Sequence, residues 1–296
     1  MRSRRAAFRS LLAATTALAA TAAAQPDSTP PDADRAGWML GLGGQVDEDD
    51  AESFLGTFYV GVGQRTWLTV SAGSMSSPGD RADIEAEALL FGVDHRFETV
   101  GFIVEAERWG DSGALETTDL SAGIYFARPR FRVGAGYENR DIDIPITITG
   151  PLGGTFHRTV DVSADGLSFD ASVTLAERWR MYLGLKEFDY ERNLNVLPRI
   201  ASLNWLSAST LTLANSFLDH DQWLAVERTF GAATLLNVRF ATDRSALDRS
   251  QLDTVEASVL FPIGRRFDLE VNIGSGRSDL FDTGLYGGLM LMIYGQ

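Results

Sequence analysis

The feature that most constrains this chain is a two-residue alternation of apolar and polar side chains that recurs along most of its length. Residues 267–273 read Phe-Asp-Leu-Glu-Val-Asn-Ile, and residues 167–175 read Leu-Ser-Phe-Asp-Ala-Ser-Val-Thr-Leu. A period of two is typical of β-strands that have one apolar and one polar face. No window long enough for a helix keeps its apolar side chains at a 3.6-residue spacing. The sequence therefore predicts an all-β protein.

The connections between the predicted strands differ in length, and short and long connections alternate along the chain. Residues 63–65 (Gly-Gln-Arg) form a compact turn, whereas residues 141–165 form the longest connection, which is read either as a strand extension or as a segment folded into a lumen. This order indicates antiparallel strands with compact turns at one end and larger loops at the other. We expect about 16 strands of about 10 residues, with 14 as the alternative. Residues 193–217, which include Pro198, are the least certain stretch.

Alternation alone does not say which face meets water. The apolar face looks inward in a soluble sandwich, whereas it meets lipid in a membrane barrel. Side chains cannot fill a closed barrel of about 14 to 16 strands, so an inward apolar face would leave a void. Closed sheets also lack unpaired edges, which hydrocarbon does not tolerate. We therefore expect a transmembrane antiparallel up-and-down β-barrel, with a secreted soluble β-sandwich as an alternative.

The N-terminus is typical of an export signal. Arg2, Arg4, Arg5 and Arg9 flank a short apolar run that ends at an Ala-rich cleavage site before Gln25. This pattern predicts a signal peptide at residues 1–24, since the apolar run is too short to span a membrane. The polar, proline-rich residues 25–37 are interpreted as a linker. Residues 38–296 then form the barrel.

Composition excludes several classes of function. The chain has no cysteine, a formal net charge of -14 and a pI of about 4.6. A chain without cysteine has no disulfide framework, no thiolate metal site and no cysteine nucleophile. An acidic surface repels phosphate backbones, so no nucleic-acid partner is expected. We expect no cofactor and no metal.

Candidates for catalysis are few. In the triplet Asp219, His220 and Asp221, a carboxylate could orient the imidazole as a general base, but a polar loop tip is the far commoner explanation. The acidic run 47–50 lacks the ordered spacing and the turn glycine of a calcium loop. Fingerprints for serine hydrolases, zinc proteases, nucleotides and dinucleotides are absent from the sequence. We therefore do not expect an enzyme.

From Trp38 to Gln296, this pattern resembles that of Gram-negative outer-membrane β-barrel proteins of the porin-like kind. The resemblance implies insertion by the barrel-assembly machinery, contact with outer-membrane lipid and lipopolysaccharide, and both termini in the periplasm. Association into homo-oligomers stays open. Aromatic residues near predicted strand ends, among them Trp67, Trp109, Trp179 and Trp223, would suit interfacial girdles. The last strand departs from the family, because the chain ends Tyr294-Gly295-Gln296 and residues 285–293 are apolar on both faces, which leaves the facing of this strand undecided.

The polar face predicts the function. Its mid-strand charges comprise more acids than bases, an excess that attracts cations into a pore and disfavours anions. We expect passive diffusion of small hydrophilic solutes with a cation preference, and the alternative is a non-conducting barrel that presents loops or stabilises the envelope. The residues predicted to line the lumen are Glu85, Glu87, Glu105, Glu107, Arg132, Asp170, Arg180, Lys186, Glu227, Arg239, Glu256, Asp268 and Glu270.

Overall fold

The computed structural model describes residues 37–48, 50–77, 84–111, 115–149, 155–191, 217–231, 233–246, 249–278 and 281–295. Among these residues, no helix is long and apolar enough to cross a membrane. The predicted signal peptide and nearly all of the linker lie outside the described residues. The strands are β1 (Trp38–Asp47), β2 (Glu52–Val62), β3 (Thr66–Ser77), β4 (Ile84–Phe97), β5 (Val100–Asp111), β6 (Leu115–Arg128), β7 (Phe131–Thr149), β8 (Thr155–Ala176), β9 (Trp179–Tyr190), β10 (Leu218–Phe230), β11 (Thr234–Ser245), β12 (Gln251–Pro262), β13 (Phe267–Ser278) and β14 (Phe281–Gly295).

The fourteen strands form one closed barrel in which each strand pairs antiparallel with its neighbours in the chain and β14 pairs with β1. The predicted up-and-down barrel is confirmed, in its 14-strand form rather than with 16 strands. The larger count came from assigning strands to residues 193–217, most of which lie outside the described residues. β9 pairs directly with β10, from Glu187 opposite His220 to Trp179 opposite Arg228, so no strand lies between them. A single closed sheet also excludes the two-layer sandwich.

The two ends of the barrel differ. At one end, called the turn end, connections of two to four residues join β2 to β3, β4 to β5 and each later pair in this series, and both Gly37 and Gly295 lie there. Gly63 and Gly231 adopt φ angles of +73° and +60° in two of these turns, a region that favours glycine. At the opposite end, called the loop end, β7 and β8 stay paired as far as Thr149 and Thr155. The predicted long loop at residues 141–165 is therefore largely a strand extension.

The apolar face of the sheet points outward. Within the described strands, the large apolar residues with substantial exposure lie on the same face as Leu167, Ile124 and Ile273, which are 69, 61 and 64% exposed. Residues 267–273, whose alternation predicted a strand, show the same division. Phe267 and Val271 are exposed on the outside, whereas Asp268 and Glu270 point to the inner face. The barrel therefore has an apolar outside and a polar inside.

The facing of the last strand, which the sequence left open, follows from its register. Leu285 and Leu289 of β14 are 53 and 58% exposed on the outside. The even-numbered side chains of β14 point to the inside, where Met290 and Met292 lie opposite Glu270 and Asp268 of β13. Methionine, rather than a charged residue, accounts for the apolar character of the inner face of β14.

Aromatic side chains gather outside the turn end. Phe126 and Phe131 lie 5.8 Å apart between ring centroids, and Arg228 stacks on both Trp179 and Phe230 at 4.9 and 4.6 Å. These positions suit an interfacial girdle. Of the aromatic residues expected in girdles, three tryptophans instead face inward: Trp67, Trp109 and Trp223.

Candidate functional site: the inner wall of the barrel

The inner face can be identified from contacts that skip a strand. The Tyr125 hydroxyl on β6 donates to Asp94 on β4 at 2.8 Å, and the Lys186 ammonium on β9 donates to Glu138 on β7 at 2.5 Å. Side chains converge on the concave side of a closed sheet and diverge on the convex side. Both pairs therefore lie inside the barrel, and the two-residue period assigns the remaining inward positions.

The structure places most of the predicted lumen residues on this inner face. They are Glu105, Glu107, Arg132, Asp170, Arg180, Lys186, Glu227, Arg239, Glu256, Asp268 and Glu270.

Glu85 and Glu87 of β4 are placed on the outer face instead. They share the exposed face of Leu89 and Phe91, whereas Ala86 between them is buried on the inside. Both glutamates lie near the loop end, beyond the apolar part of the strand, where the outer surface is polar too. Polarity therefore does not distinguish inside from outside at the rim. Leu89 and Phe91 lie two and four residues after Glu87 in the same strand, so the two-residue period could have assigned both glutamates to the outer face.

A cluster of buried charges occupies the inner wall of β6, β7 and β9, and most of it was missed from the sequence. The Arg140 guanidinium donates two hydrogen bonds of 2.8 Å to Asp119 and one of 3.1 Å to Glu138. These three side chains are only 8 to 9% exposed. Lys186 binds the second carboxylate oxygen of Glu138. The cluster satisfies its own charges, so it stiffens this wall rather than supplying a free charge to the lumen.

The basic side chains of the inner wall stack on aromatic rings as well. The centre of the guanidinium lies 4.4 Å from the Tyr125 ring for Arg132, and 5.3 Å from the Trp223 ring for Arg239. Arg140 stacks on Phe188 at 4.4 Å. Such stacking adds a cation–π attraction and holds the guanidinium flat against the wall.

Those rings lie flat because a glycine faces each of them across a strand pair. Gly101 is opposite Tyr125, Gly184 is opposite Trp223, and a side chain at either glycine would collide with the ring. Tyr286 covers Gly274 in the same way. The glycines thus give large aromatic groups room to lie against the inner wall.

Several inner acids are held differently from the bases. Asp170 pairs with Arg132 at 3.1 Å, and Asp268 accepts a hydrogen bond of 2.9 Å from Tyr294. Within the described residues, Glu105, Glu107 and Glu270 form no salt bridge, although Lys186 attracts both acids of β5 electrostatically and Arg140 attracts Glu107. The inner wall therefore carries bases that are paired with an acid or stacked on an aromatic ring, and several acids that have no basic partner in contact.

An apolar cluster lies above the charged cluster at the loop end. Ile142, Ile144, Val162 and Phe217 are at most 5% exposed, and Trp109 and Tyr190 pack against them. The Phe217 backbone oxygen accepts a hydrogen bond of 2.6 Å from the Ala246 amide. We call these residues the mouth cluster, because they join the inner face of β5 to the residues that follow β11. The even-numbered isoleucines of β7 suggested a strand extension, but nothing in the sequence paired them with Phe217.

The other candidates have local structural explanations. Asp219 accepts a 2.6 Å hydrogen bond from Arg244, and His220 faces Glu187 at 3.5 Å. Asp47 in the acidic run accepts a hydrogen bond from the Ala51 amide at 2.9 Å, as a turn carboxylate commonly does. No group of three acidic or histidine side chains that could hold a metal ion occurs among the described residues.

No protein-family model matches the chain, and the search of curated proteins found no significant relative. Solved structures do share its architecture. The CymD monoaromatic hydrocarbon channel matches at 9% identity with a TM-score of 0.56, over 88% of this chain and 89% of that one. The toluene transporter TbuX of Ralstonia pickettii matches at 8% identity with a TM-score of 0.52, over the same shares. At this identity the likeness shows the fold alone, and the resemblance to outer-membrane β-barrels expected from the sequence is confirmed at that level.

Proposed function

We propose that the chain is an outer-membrane channel through which small hydrophilic solutes diffuse passively, with a preference for cations. The observation that carries this proposal is the division of charge on the inner wall: the bases are paired or stacked, whereas Glu105, Glu107 and Glu270 have no basic partner in contact. The two solved structures with the same fold are described as a channel and a transporter, which supports transport as the class of function.

The membrane location rests on the outer face. Within the part of the chain that the structure describes, the closed strands leave no unpaired backbone edge and no second layer covers the apolar side chains on the outside. Acyl chains are the environment that such a surface requires. The same surface makes lipopolysaccharide at the loop end and the barrel-assembly machinery the partners that we expect.

Replacing Val271 with arginine tests the lipid-facing surface. Val271 lies on the outer face of β13 and is 40% exposed, so the substitution would lower the free energy of unfolding only slightly if this face met water. In lipid, an arginine near the midplane lowers the free energy of unfolding by about 2–4 kcal/mol. Denaturant unfolding in lipid vesicles measures this difference. Asn272→Arg, one residue away on the inner face, is the matched control, and equal effects of the two variants would contradict a lipid-facing β13.

The cation preference predicts a specific electrical result. Under a KCl gradient across a planar bilayer, the reversal potential of the full chain should indicate that K⁺ is more permeant than Cl⁻. The double variant Glu105→Gln/Glu107→Gln removes two inner charges and should reduce the permeability ratio about threefold.

Glu85→Gln/Glu87→Gln is a matched control for this experiment. It removes the same Glu-x-Glu pair from the outer face of β4, so the permeability ratio should stay close to that of the unchanged protein. Anion preference in the unchanged protein, or equal effects of the two double variants, would overturn the proposed selectivity.

A second candidate function is a non-conducting barrel that presents loops or stabilises the envelope. The mouth cluster favours it, because apolar side chains from β7, β8 and the residue before β10 meet on the inside at the loop end. A silent bilayer together with a correctly folded, heat-modifiable barrel would support this candidate over the channel.

A further inference from the structure

The inner wall is divided into a charged part and an uncharged part. Within the described central parts of β14, β1, β2, β3 and β4, no charged side chain faces inward between Asp47 near the loop end and Asp94 near the turn end. We call this part the uncharged strip. Its large apolar side chains other than aromatic ones are Met39, Leu55, Met75, Leu90, Met290 and Met292.

The strip is continuous across its central strands. Gly43 of β1 lies opposite Met290 of β14 on one side and opposite Leu55 of β2 on the other. The Met290 side chain lies against both Gly41 and Gly43, so its thioether covers the gap that these glycines leave. Methionine is flexible and polarisable, and surfaces rich in it adapt to apolar groups of different shape.

Both long edges of the strip are acidic. At one edge, the Glu105 side chain of β5 extends over Gly92 of β4, and Glu107 lies opposite Leu90. At the other edge, Glu270 of β13 lies directly opposite Met290. An apolar surface bordered by carboxylates complements a molecule that has one apolar group and one positive charge.

We propose that the uncharged strip and its acidic edges form a path for small organic cations that carry an apolar group, such as aryl amines or quaternary aryl ammonium ions. The apolar group slides over the methionines and Leu55, and the cationic group stays near Glu105, Glu107 or Glu270. The inference rests on the proposed cation channel and names its preferred class of solute. A fully apolar molecule would make no use of the acids, and an anion would be repelled by them.

Permeability to two quaternary ammonium ions tests the proposal. Benzyltrimethylammonium and tetramethylammonium carry the same charge, but only the first has an apolar ring, and it is the larger ion. A wide aqueous pore favours the smaller ion. For the full chain in planar bilayers under bi-ionic conditions with K⁺, we expect benzyltrimethylammonium to be the more permeant. Leu55→Asn or Met290→Gln should each reduce this advantage about threefold.

Leu235→Asn is the matched control, because Leu235 faces inward on β11, outside the strip. It should leave the order of the two ions unchanged. If tetramethylammonium is the more permeant ion while K⁺ still exceeds Cl⁻, the strip proposal is overturned and the cation channel stands.

If the protein shows no conductance in planar bilayers, the proposed channel is contradicted instead. The strip proposal is then tested by a binding measurement. Saturation-transfer NMR on the detergent-solubilised full chain should show contact with the benzyl protons that Leu55→Asn reduces and Leu235→Asn retains. Contact that is identical in all three proteins would overturn the strip proposal independently of conduction.

Discussion

Replacing Arg140 with methionine is expected to lower the free energy of unfolding by about 3–5 kcal/mol, the usual cost of removing one partner from a buried ion pair. Arg140 is 8% exposed and donates hydrogen bonds to both Asp119 and Glu138. Without it, the buried carboxylates of Asp119 and Glu138 keep their desolvation cost, Asp119 loses its main counter-charge, and Glu138 keeps only Lys186. Methionine retains much of the volume beside Phe188, so the loss reports on charge rather than on packing. Denaturant unfolding in lipid or detergent, followed by tryptophan fluorescence, measures it.

Arg244→Met is the control for this result. Arg244 also donates a hydrogen bond to a carboxylate, that of Asp219 at 2.6 Å, but the arginine is 47% exposed. An ion pair with this exposure contributes less than about 1 kcal/mol. If the two variants lose the same stability, then water reaches the Arg140 cluster and the cluster does not stiffen the wall as described.

Replacing Phe217 with alanine should raise the single-channel conductance about twofold or more, because apolar constrictions hinder ions by excluding water. Phe217 is 2% exposed and contacts the inward isoleucines of β7, and its ring lies 6.4 Å from that of Tyr190. Removing the ring opens the centre of the mouth cluster. Single-channel recording in planar bilayers measures the change.

Phe240→Ala removes the same ring from the outer face of β11, where Phe240 is 50% exposed, and should leave the conductance unaltered. An unchanged conductance of a folded Phe217→Ala barrel would show that the mouth cluster does not narrow the path. A protein that is silent before the change and conducting after it would identify the mouth cluster as the closure of a plugged barrel.

The sequence predicted the parts of this structure that depend on one strand at a time. The alternation in residues 267–273 was enough to identify a strand and to assign Val271 and Glu270 to opposite faces. The choice between 16 and 14 strands stayed open because residues 193–217, a polar-apolar mixture with Pro198, have no clear period. Glu85 and Glu87 were misassigned because the outer surface is polar near the rim, so that polarity carries no information about direction there.

The contacts of the inner wall could not be predicted, because they depend on register. Asp119 and Arg140 meet since β6 and β7 pair with these two residues opposite each other, and a slip of one residue would send them to opposite faces. Lys186 reaches Glu138 across an intervening strand, which requires the curvature of the closed sheet. The ring of Trp223 has room against the inner wall because Gly184 lies opposite it, a pairing between strands that sequence spacing does not reveal.

The pairing of β1 with β14 has a consequence for biogenesis. Trp38 lies opposite Gly295, so the seam that closes the sheet joins the two extremes of the described chain. Contacts with so large a sequence separation form late, and until then the first and last strands each expose a row of backbone groups ready to pair with another polypeptide. The nascent protein therefore has to be shielded until its C-terminal residues have been synthesised. A truncation that removes these residues leaves an open sheet whose unpaired edge strands pair with other polypeptides, rather than a smaller pore.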